Sequence, residues 1–276
     1  MTAVAMRTNS RSTAQYFHEN GFVVVRELFT HSEIDELRET FMETNASGPI
    51  PGLSEIRESY DKSDPLAFYP RMMHPHRHQD KPVGPISMRW MLDTRLKDIL
   101  AELFADEPIA AQSMFYFKPP GARGQDLHQD NFYLRVHPGT CIAAWVSIDP
   151  ADEENGTLMV VPGSHVLPIA CPEKADPARF FTSDHVEAPD GMNAEPVLLE
   201  PGDVLFFNGS LIHGSYENSS PVRFRRAFIC HYVPASCMEV SSGYRPLLTF
   251  DGVEVEKQGA SGGGPCGVPH EELAPH

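Results

Sequence analysis

LHQDNFYL at residues 127–134 and LIHGS at residues 211–215 decide the fold. His128 and Asp130 stand two apart in the first stretch, and side chains two apart on a β-strand point to the same face. His213 comes much later, after several strand-like runs separated by turn signals, so we expect it on a neighbouring strand. The spacing therefore predicts that two histidines and one carboxylate converge on one point from two strands.

Such a ligand set is typical of non-haem Fe(II) centres, which leave the remaining coordination positions open. A metal site also requires neutral histidines, an ionised carboxylate and a scaffold that aims them together. An isolated H-x-D is weak evidence, because it also occurs by chance. Its combination with a distant H-G-S and a later R-R-A strand is much stronger.

Composition narrows the class of protein. The chain has 276 residues, of which 41% are hydrophobic, so it can bury a sizeable core. No apolar run approaches a membrane span and the N-terminus lacks an apolar signal core, so we expect a soluble, cytoplasmic protein. The net charge of −16 argues against nucleic acid or a membrane as partner, because both require basic surface. It mildly favours neutral or cationic substrates.

The cysteines predict a reduced protein. Their number is odd and no close C-x-x-C pair occurs, so we expect free thiols rather than disulfides or a zinc–thiolate site. The cysteines are Cys141, Cys171, Cys230, Cys237 and Cys266.

Helices are predicted first along the chain and strands later. Capping-box pairs open helices after Ser12 and Thr30, and an amphipathic stripe predicts a third helix over residues 94–104. FVVVR at residues 22–26 predicts a strand between the first two helices. Further strands are predicted at residues 111–118, 127–133, 140–149, 158–161, 197–199, 204–207 and 226–233.

Short strands at regular spacing predict a mainly β fold with flanking helices, of the double-stranded β-helix (jelly-roll, cupin-like) type. No repeat or linker divides the chain, so we expect one domain over residues 1–276. Within it we expect a helical part at 12–104, a β-helix core at about 108–235 and a flexible tail at 257–276.

A first long connection, residues 47–85, is rich in proline and histidine. Long connections are often lids or binding loops. His74, His76 and His78 alternate with other residues in it, which favours an exposed loop over a metal tract. A secondary hypothesis is that one of these histidines, Arg71 or Tyr69 lines a substrate entrance.

A second long connection, residues 171–195, is rich in proline and acidic residues. By the same argument, Phe180, Phe181 and His185 are candidates to close over a substrate.

Six signatures together identify a family. They are KPPG at 118–121, HQD at 128–130, AAW at 143–145, ENGTLMVVPGSH at 154–165, EPGDVLFFNGSLIHGS at 200–215 and FRRAF at 224–228. With them the chain resembles the phytanoyl-CoA dioxygenase family, within the Fe(II)/2-oxoglutarate-dependent dioxygenases. The resemblance implies a metal triad of His128, Asp130 and His213. Related halogenases have alanine or glycine at the carboxylate position, so Asp130 points to oxygen insertion rather than chlorination.

The resemblance also implies a site for 2-oxoglutarate. Arg225 is the family arginine that pairs with the distal carboxylate, and a planar guanidinium offers that group a two-pronged contact. Arg226 is expected on the opposite strand face, whereas Arg223 shares the parity of Arg225 and remains an alternative. Ser215 is expected to donate a hydrogen bond to the same carboxylate.

For the remaining candidate pocket residues, the sequence leaves more than one role open. Gln112 and Trp145 are expected in the wall of the cosubstrate pocket, with plain core packing as the alternative for both. Lys118 faces either the pocket or the solvent. Asn131 and Phe132 follow the ligand strand, and one of them is expected to touch the substrate.

The implied reaction uses Fe(II), 2-oxoglutarate and O2 to hydroxylate an unactivated C–H bond of a small molecule, with release of succinate and CO2. We expect a natural product or an amine-bearing metabolite as substrate. The alternatives are an acyl-CoA hydroxylase of the same mechanism and a non-catalytic cupin-like binding protein. The sequence predicts no oligomeric state.

Overall fold

A computed structural model describes residues 12–56, 61, 63–260 and 266. The helices are α1 (Thr13–Asn20), α2 (His31–Ala46), α3 (Pro65–Phe68), α4 (Val83–Met91), α5 (Thr94–Phe104) and α6 (Asn131–Leu134). The strands are β1 (Phe22–Val25), β2 (Met72–Met73), β3 (Pro108–Tyr116), β4 (Gln125–His128), β5 (Ile142–Ser147), β6 (Leu158–Val160), β7 (Glu173–Lys174), β8 (Asp184–His185), β9 (Glu195–Pro196), β10 (Val204–Asn208), β11 (His213–Ser215), β12 (Ala227–Pro234), β13 (Glu239–Val240), β14 (Leu247–Leu248), β15 (Glu254–Val255) and β16 (Gln258–Gly259).

Two antiparallel sheets form the β-helix. The major sheet has the strand order β1-β10-β5-β12-β3-β14-β15, and β2 also pairs with β3. The minor sheet has the order β4-β11-β6-β9. Neighbours in these sheets are mostly distant along the chain, as in a jelly roll. The predicted fold class is confirmed.

The major sheet is buried on both faces. Phe115 and Phe228 point outward to the helices, where Phe41 of α2 stacks on Phe115 at a ring distance of 4.0 Å. Trp145 and Ile229 point inward to the minor sheet. Strands buried on both faces read as continuous apolar runs, which is why β5 and β12 were visible in the sequence.

Two helix starts follow the capping signals. The Ser12 hydroxyl accepts a hydrogen bond from the Gln15 amide at 3.1 Å. Thr30 and Glu33 form the full reciprocal capping box, and α2 runs on to Ala46. Both predicted helices are confirmed, as is the one over residues 94–104.

Two strand predictions are wrong. The predicted strand 127–133 ends at His128, because the backbone of Asp130 is helical (φ −60°, ψ −35°) and leads into α6. The predicted strand 197–199 lies too late: β9 covers Glu195–Pro196, and Leu199 makes only an isolated bridge. Val197 and Leu199 are apolar because they are buried in the core, whereas Leu198 between them is exposed.

The prediction of an exposed histidine loop is also wrong. Residues 47–85 contain α3, β2 and the start of α4. His76 is only 3% exposed, and its Nδ1 atom lies 2.6 Å from the Ser113 hydroxyl. Burial, followed by the charge of Arg77, lowers the pKa of His76 to about 3. The ring is a neutral core group.

A disulfide joins Cys171 to Cys266, with a Cα–Cα distance of 5.5 Å. The expectation of reduced thiols is wrong for this pair, whose members are 95 residues apart and thus give no spacing signal. The other three cysteines are free and buried.

The predicted flexible tail begins as a strand, since β16 pairs in parallel with β13. The rest of the tail lies outside the described residues, apart from Cys266. No helix in the described part of the chain is long and apolar enough to cross a bilayer. The single domain over 1–276 stays a prediction.

Candidate metal and cosubstrate site

The strand register brings the two histidines together. His128 ends β4 and His213 begins β11, and the two residues are direct partners in the ladder. The Oδ1 atom of Asp130 lies 3.4 Å from His128 Nε2 and 3.6 Å from His213 Nε2. All three ligand atoms lie within 4.8 Å of one another, so one metal ion can contact all of them.

Backbone carbonyl groups fix the orientation of both imidazoles. His128 Nδ1 lies 2.7 Å from the Asp126 carbonyl oxygen, and His213 Nδ1 lies 3.0 Å from that of Leu211. A carbonyl oxygen only accepts, so each Nδ1 carries the hydrogen and each Nε2 presents a lone pair. Burial, with the nearby His128, lowers the pKa of His213 to about 4 and keeps this ring neutral.

The carboxylate is held in its ionised form. Burial alone would raise the pKa of Asp130, but the imidazoles of His213, His231 and His128 around the carboxylate hold that pKa well below the usual range. Two neutral nitrogen donors and one anionic oxygen donor, all buried, fit Fe(II) in a non-haem site.

His231 is a neighbour of the site that sequence reasoning missed. Its Nε2 atom lies 2.9 Å from Asp130 Oδ2, the oxygen that faces away from the other two histidines. The spacing could have indicated it. His231 comes six residues after Arg225, and side chains an even number of residues apart on a strand point to the same face. Its Nδ1 atom is buried with no partner among the described residues.

The triad faces a cavity between the two sheets. Its lining comprises Met114, Tyr116, Gln125, His128, Asp130, Trp145, Leu158, Phe207, His213, Ser215, Arg225, Ile229 and His231.

Two buried cations lie beside this cavity: Arg225 lines it, and Lys118 contacts its lining residue Ser215. Arg225 is 3% exposed, its Nε donates to the Gly156 carbonyl at 2.9 Å, and its Nη1 has no partner among the described residues. The guanidinium carbon lies 5.1 Å from the centre of the Trp145 ring. Burial lowers the pKa of Arg225 to about 10.

Lys118 is the second cation, and it faces inward rather than toward solvent. It is 4% exposed and its Nζ donates to the Ser215 hydroxyl at 2.9 Å. Burial, followed by the charge of Arg225, holds the pKa of Lys118 well below its usual range. No carboxylate of the described residues lies within ion-pair distance of Lys118 or Arg225, so the pair favours a bound anion.

Ser215 is oriented to donate to such an anion. Its oxygen already accepts from Lys118 Nζ at 2.9 Å and from the Gln125 amide at 3.2 Å. A hydroxyl oxygen has two acceptor positions, so its own proton is left for a third partner.

The other two arginines of this segment point away from the cavity. Arg223 makes a two-pronged ion pair with Asp152 at 2.7 and 2.9 Å on the protein surface. Arg226 binds Asp149 at 2.8 and 2.7 Å. Arg225 is thus the arginine of this segment that the fold directs inward.

A second cavity adjoins the first and shares Tyr116 and Arg225 with it. Tyr69, Lys118 and Phe181, three of the proposed substrate contacts, line it. The remaining lining residues are Leu66, Arg71, Phe117 and Arg123. We refer to it as the entrance cavity.

Four candidates do not line either cavity. The Asn131 amide oxygen accepts from the Val136 amide at 3.0 Å and so stabilises the turn after α6, and Phe132 packs in a separate apolar cluster. Their displacement follows from the helical turn that replaces the predicted strand. Gln112 is fully buried opposite His231, and His74 packs near the Tyr244 ring.

The fold and the site define a non-haem iron, 2-oxoglutarate-dependent oxygenase. The family model described as Phytanoyl-CoA dioxygenase (PhyH) matches residues 17–227, and the chain belongs to this family. The predicted family and enzyme class are confirmed. The donor set fits the predicted iron and the buried cations fit 2-oxoglutarate, while the roles of individual residues stay predictions.

Curated relatives agree with the family. The chain is 30% identical over 237 residues to the peroxisomal phytanoyl-CoA dioxygenase of Bos taurus, with 81% of this chain and 68% of the relative covered. It is 30% identical over 164 residues to phytanoyl-CoA dioxygenase 1 of Oryza sativa subsp. japonica. That match covers 58% of this chain and spans just over half, 57%, of the rice protein.

Solved structures support the fold. The carbocyclase SnoK from nogalamycin biosynthesis, described as non-heme and alpha ketoglutarate dependent, superposes with a TM-score of 0.67 at 18% identity, covering 90% of this chain and 94% of that chain. EctD from S. alaskensis, with 2-oxoglutarate and 5-hydroxyectoine, gives a TM-score of 0.61 at 23% identity and covers 85% and 80%.

Proposed function

We propose that this chain hydroxylates an unactivated C–H bond of a small molecule, with Fe(II), 2-oxoglutarate and O2, and releases succinate and CO2. The observation that carries the proposal is one cavity lined both by a buried His-Asp-His face and by the buried Arg225 guanidinium, which has no carboxylate partner among the described residues. A pure binding protein has no need for both features.

Each residue has a distinct role in the proposal. His128, Asp130 and His213 hold the metal, which supplies the oxidising chemistry when it is bound. The Arg225 guanidinium and the Ser215 hydroxyl bind the distal carboxylate of 2-oxoglutarate, because both have donors left for it.

Lys118 and Trp145 support the same carboxylate in different ways. Lys118 adds positive charge through its bond to Ser215, and the Trp145 face stabilises the Arg225 cation. Tyr69 and Phe181 wall the entrance cavity, where they shield the reacting centre from water. Gln112, Asn131, Phe132 and His74 have no direct role in this arrangement.

Arg225→Ala tests the cosubstrate site, with Arg223→Ala as a matched control from the same segment. Anaerobic addition of Fe(II) and 2-oxoglutarate should give the weak visible charge-transfer band of the chelate. Loss of a charge-assisted, two-pronged contact is worth about 1.5–3 kcal/mol, so Arg225→Ala should require roughly 10- to 100-fold more 2-oxoglutarate. Arg223→Ala should titrate as the parent does, because its partners lie on the surface.

His213→Ala should give no band at any 2-oxoglutarate concentration. If the folded, iron-loaded parent shows no band and no succinate release, the oxygenase proposal fails and the binding-protein alternative takes its place. If Arg223→Ala shows the larger loss, the assignment of the cosubstrate arginine is wrong.

Acyl-CoA hydroxylation is the second candidate, because the bovine and rice relatives are named for phytanoyl-CoA. Coenzyme A carries several negative charges, whereas two of the four basic residues that line the entrance cavity, Arg71 and Arg123, are already paired with Glu55 and Asp64. Succinate release with phytanoyl-CoA, compared with the free acid, separates the two. The cytoplasmic location stays a prediction.

A further inference from the structure

The polar groups that line the entrance cavity are almost all hydrogen-bond donors. They are the side chains of Arg71, Lys118, Arg123 and Arg225 and the hydroxyls of Tyr69 and Tyr116. None of its lining residues is a carboxylate or an amide. A ligand complementary to this surface presents acceptors rather than ammonium groups.

Arg71 is placed to bind such a ligand. It is 7% exposed, and one edge of its guanidinium pairs with both Glu55 carboxylate oxygens, with Nη2 to Oε1 at 2.8 Å. Its Nη1 donates to the Tyr116 hydroxyl at 2.6 Å. A guanidinium has five N–H donors and these contacts use three, so two remain.

Tyr116 extends this donor array to the metal cavity. Its hydroxyl accepts from Arg71, so its own proton is left to donate. The residue lines both cavities, and its ring lies 5.5 Å from the Arg71 guanidinium carbon. An anionic group held here would lie at the junction of the two cavities.

The entrance cavity favours an anionic over a cationic ligand. Glu55 pairs with Arg71 and Asp64 pairs with Arg123 at 2.5 Å, so these two charges are compensated, but Arg71 keeps N–H donors beyond its ion pair. Lys118 and Arg225 also line this cavity and have no carboxylate within ion-pair distance among the described residues. A carboxylate can therefore accept hydrogen bonds here, whereas an ammonium group would meet four basic side chains and no acidic one.

We propose that the substrate is a small carboxylic acid whose carboxylate binds to Arg71 and the Tyr116 hydroxyl, with its apolar or aromatic body against Tyr69 and Phe181. This inference rests on the proposed function, which assigns Arg225 and Ser215 of the first cavity to the cosubstrate. It replaces the amine-bearing substrate expected from the sequence. The net charge of the chain describes its surface, whereas the entrance cavity is lined by cations.

The test measures binding of matched probes to protein loaded anaerobically with Fe(II) and saturating 2-oxoglutarate. The probes are benzoate, 3-phenylpropanoate and decanoate, with 3-phenylpropanamide and 3-phenylpropylamine as neutral and cationic matches. Calorimetric titration should show that at least one acid binds, and that 3-phenylpropanoate binds at least 10-fold more tightly than its amide or amine. If no acid binds, or if the amine binds as tightly, the proposal is overturned.

Three variants locate the binding group. Arg71→Gln should weaken acid binding roughly 10- to 100-fold, which matches the loss of a charged hydrogen bond. Arg89→Gln, at an exposed arginine paired with Glu36, should leave it unchanged. Tyr116→Phe removes one hydroxyl and little volume, so it should fold normally and weaken acid binding several-fold even if Arg71→Gln does not fold.

Unchanged acid affinity in folded Arg71→Gln or in Tyr116→Phe would refute the proposal. This comparison of the parent with its variants measures binding of the acids and not turnover. Repeated in metal-free protein with 2-oxoglutarate, it therefore remains interpretable even if the chelate band is absent and the oxygenase proposal itself fails.

Discussion

His231 determines how Asp130 is presented to a metal. Its Nε2 lies 2.9 Å from Oδ2 of the carboxylate, which leaves Oδ1 alone near the two histidine ligands. A partner of this kind orients the ligand, and its removal typically costs 10- to 100-fold in metal affinity.

We therefore expect His231→Leu to weaken Fe(II) binding about 10- to 100-fold, while His231→Gln, whose amide can still donate, recovers part of the loss. Anaerobic metal titration of both variants is the measurement. His76→Gln is the control, since this equally buried histidine contacts Ser113 and not the triad. Equal affinities of the parent and His231→Leu would show that the contact does not position Asp130.

His76 also makes the stability of the metal-free protein depend on pH. Its pKa is about 3 in the folded state, against about 6.5 in an unfolded chain. Below pH 6.5 the unfolded state therefore binds a proton that the folded state does not bind, so the free energy of unfolding decreases as the pH falls.

This single group contributes about 1.4 kcal/mol per pH unit below pH 6.5. We expect His76→Gln to lose about 2 kcal/mol less than the parent in free energy of unfolding between pH 7 and pH 5. Urea unfolding at the two pH values measures the difference. The exposed His31 provides a control variant, His31→Gln, which should follow the parent.

At the scale of elements, α2 begins at a complete capping box. The Thr30 amide donates to Glu33 at 2.8 Å, and the Glu33 amide donates back to the Thr30 hydroxyl. Thr30→Ala should lower the free energy of unfolding by about 1 kcal/mol, and Thr30→Ser should restore most of it. Thermal or urea unfolding checks this. Succinate release should be unchanged, since Thr30 lies outside both cavities.

Signals within one element predicted much of the fold, and contacts between elements did not. The capping pairs at Ser12 and Thr30 and the apolar run of β12 depend on near neighbours, so the sequence displays them. At the turn that follows Asp130, the Asn131 amide donates to the Gly209 carbonyl at 2.8 Å, a contact between distant parts of the chain that no periodicity shows.

The same distinction applies to the site. The H-x-D and H-G-S motifs give the triad, because residue type and local spacing are enough. Arg223 and Arg225 are two residues apart, so strand alternation alone cannot say which of them binds the cosubstrate. The structure distinguishes them because Arg223 pairs with Asp152, which is 71 residues away in sequence. His231 carries no local motif and emerges only once β12 lies beside Asp130.

At the scale of the whole molecule, surface charge and cavity charge differ in sign. The chain has a net charge of −16, yet Arg225 lines the metal cavity and four basic residues line the entrance cavity. Surface charge is screened over about 10 Å at ordinary ionic strength, whereas buried groups act on one another directly. Net charge thus bears on macromolecular partners and says little about the ligand.

The disulfide is the other feature that belongs to the whole molecule. Cys171 and Cys266 close a loop of 95 residues that contains β7 to β16, and with them His213, Arg225 and His231. In the chain-entropy model, closing a loop of this length stabilises the folded state by up to about 5 kcal/mol. In a reducing compartment this contribution would be lost.

We expect Cys171→Ser to unfold at lower urea concentration than the oxidised parent, and dithiothreitol to bring the parent down to the level of the variant. Dithiothreitol should have no effect on the variant, because Cys266 has lost its partner there and the other three cysteines, Cys141, Cys230 and Cys237, are free and buried. Peptide mapping without reductant identifies the bonded pair. If the oxidised parent and Cys171→Ser unfold together, the cross-link does not restrict the unfolded chain, and the β-helix owes its stability to the packing of its two sheets and helices alone.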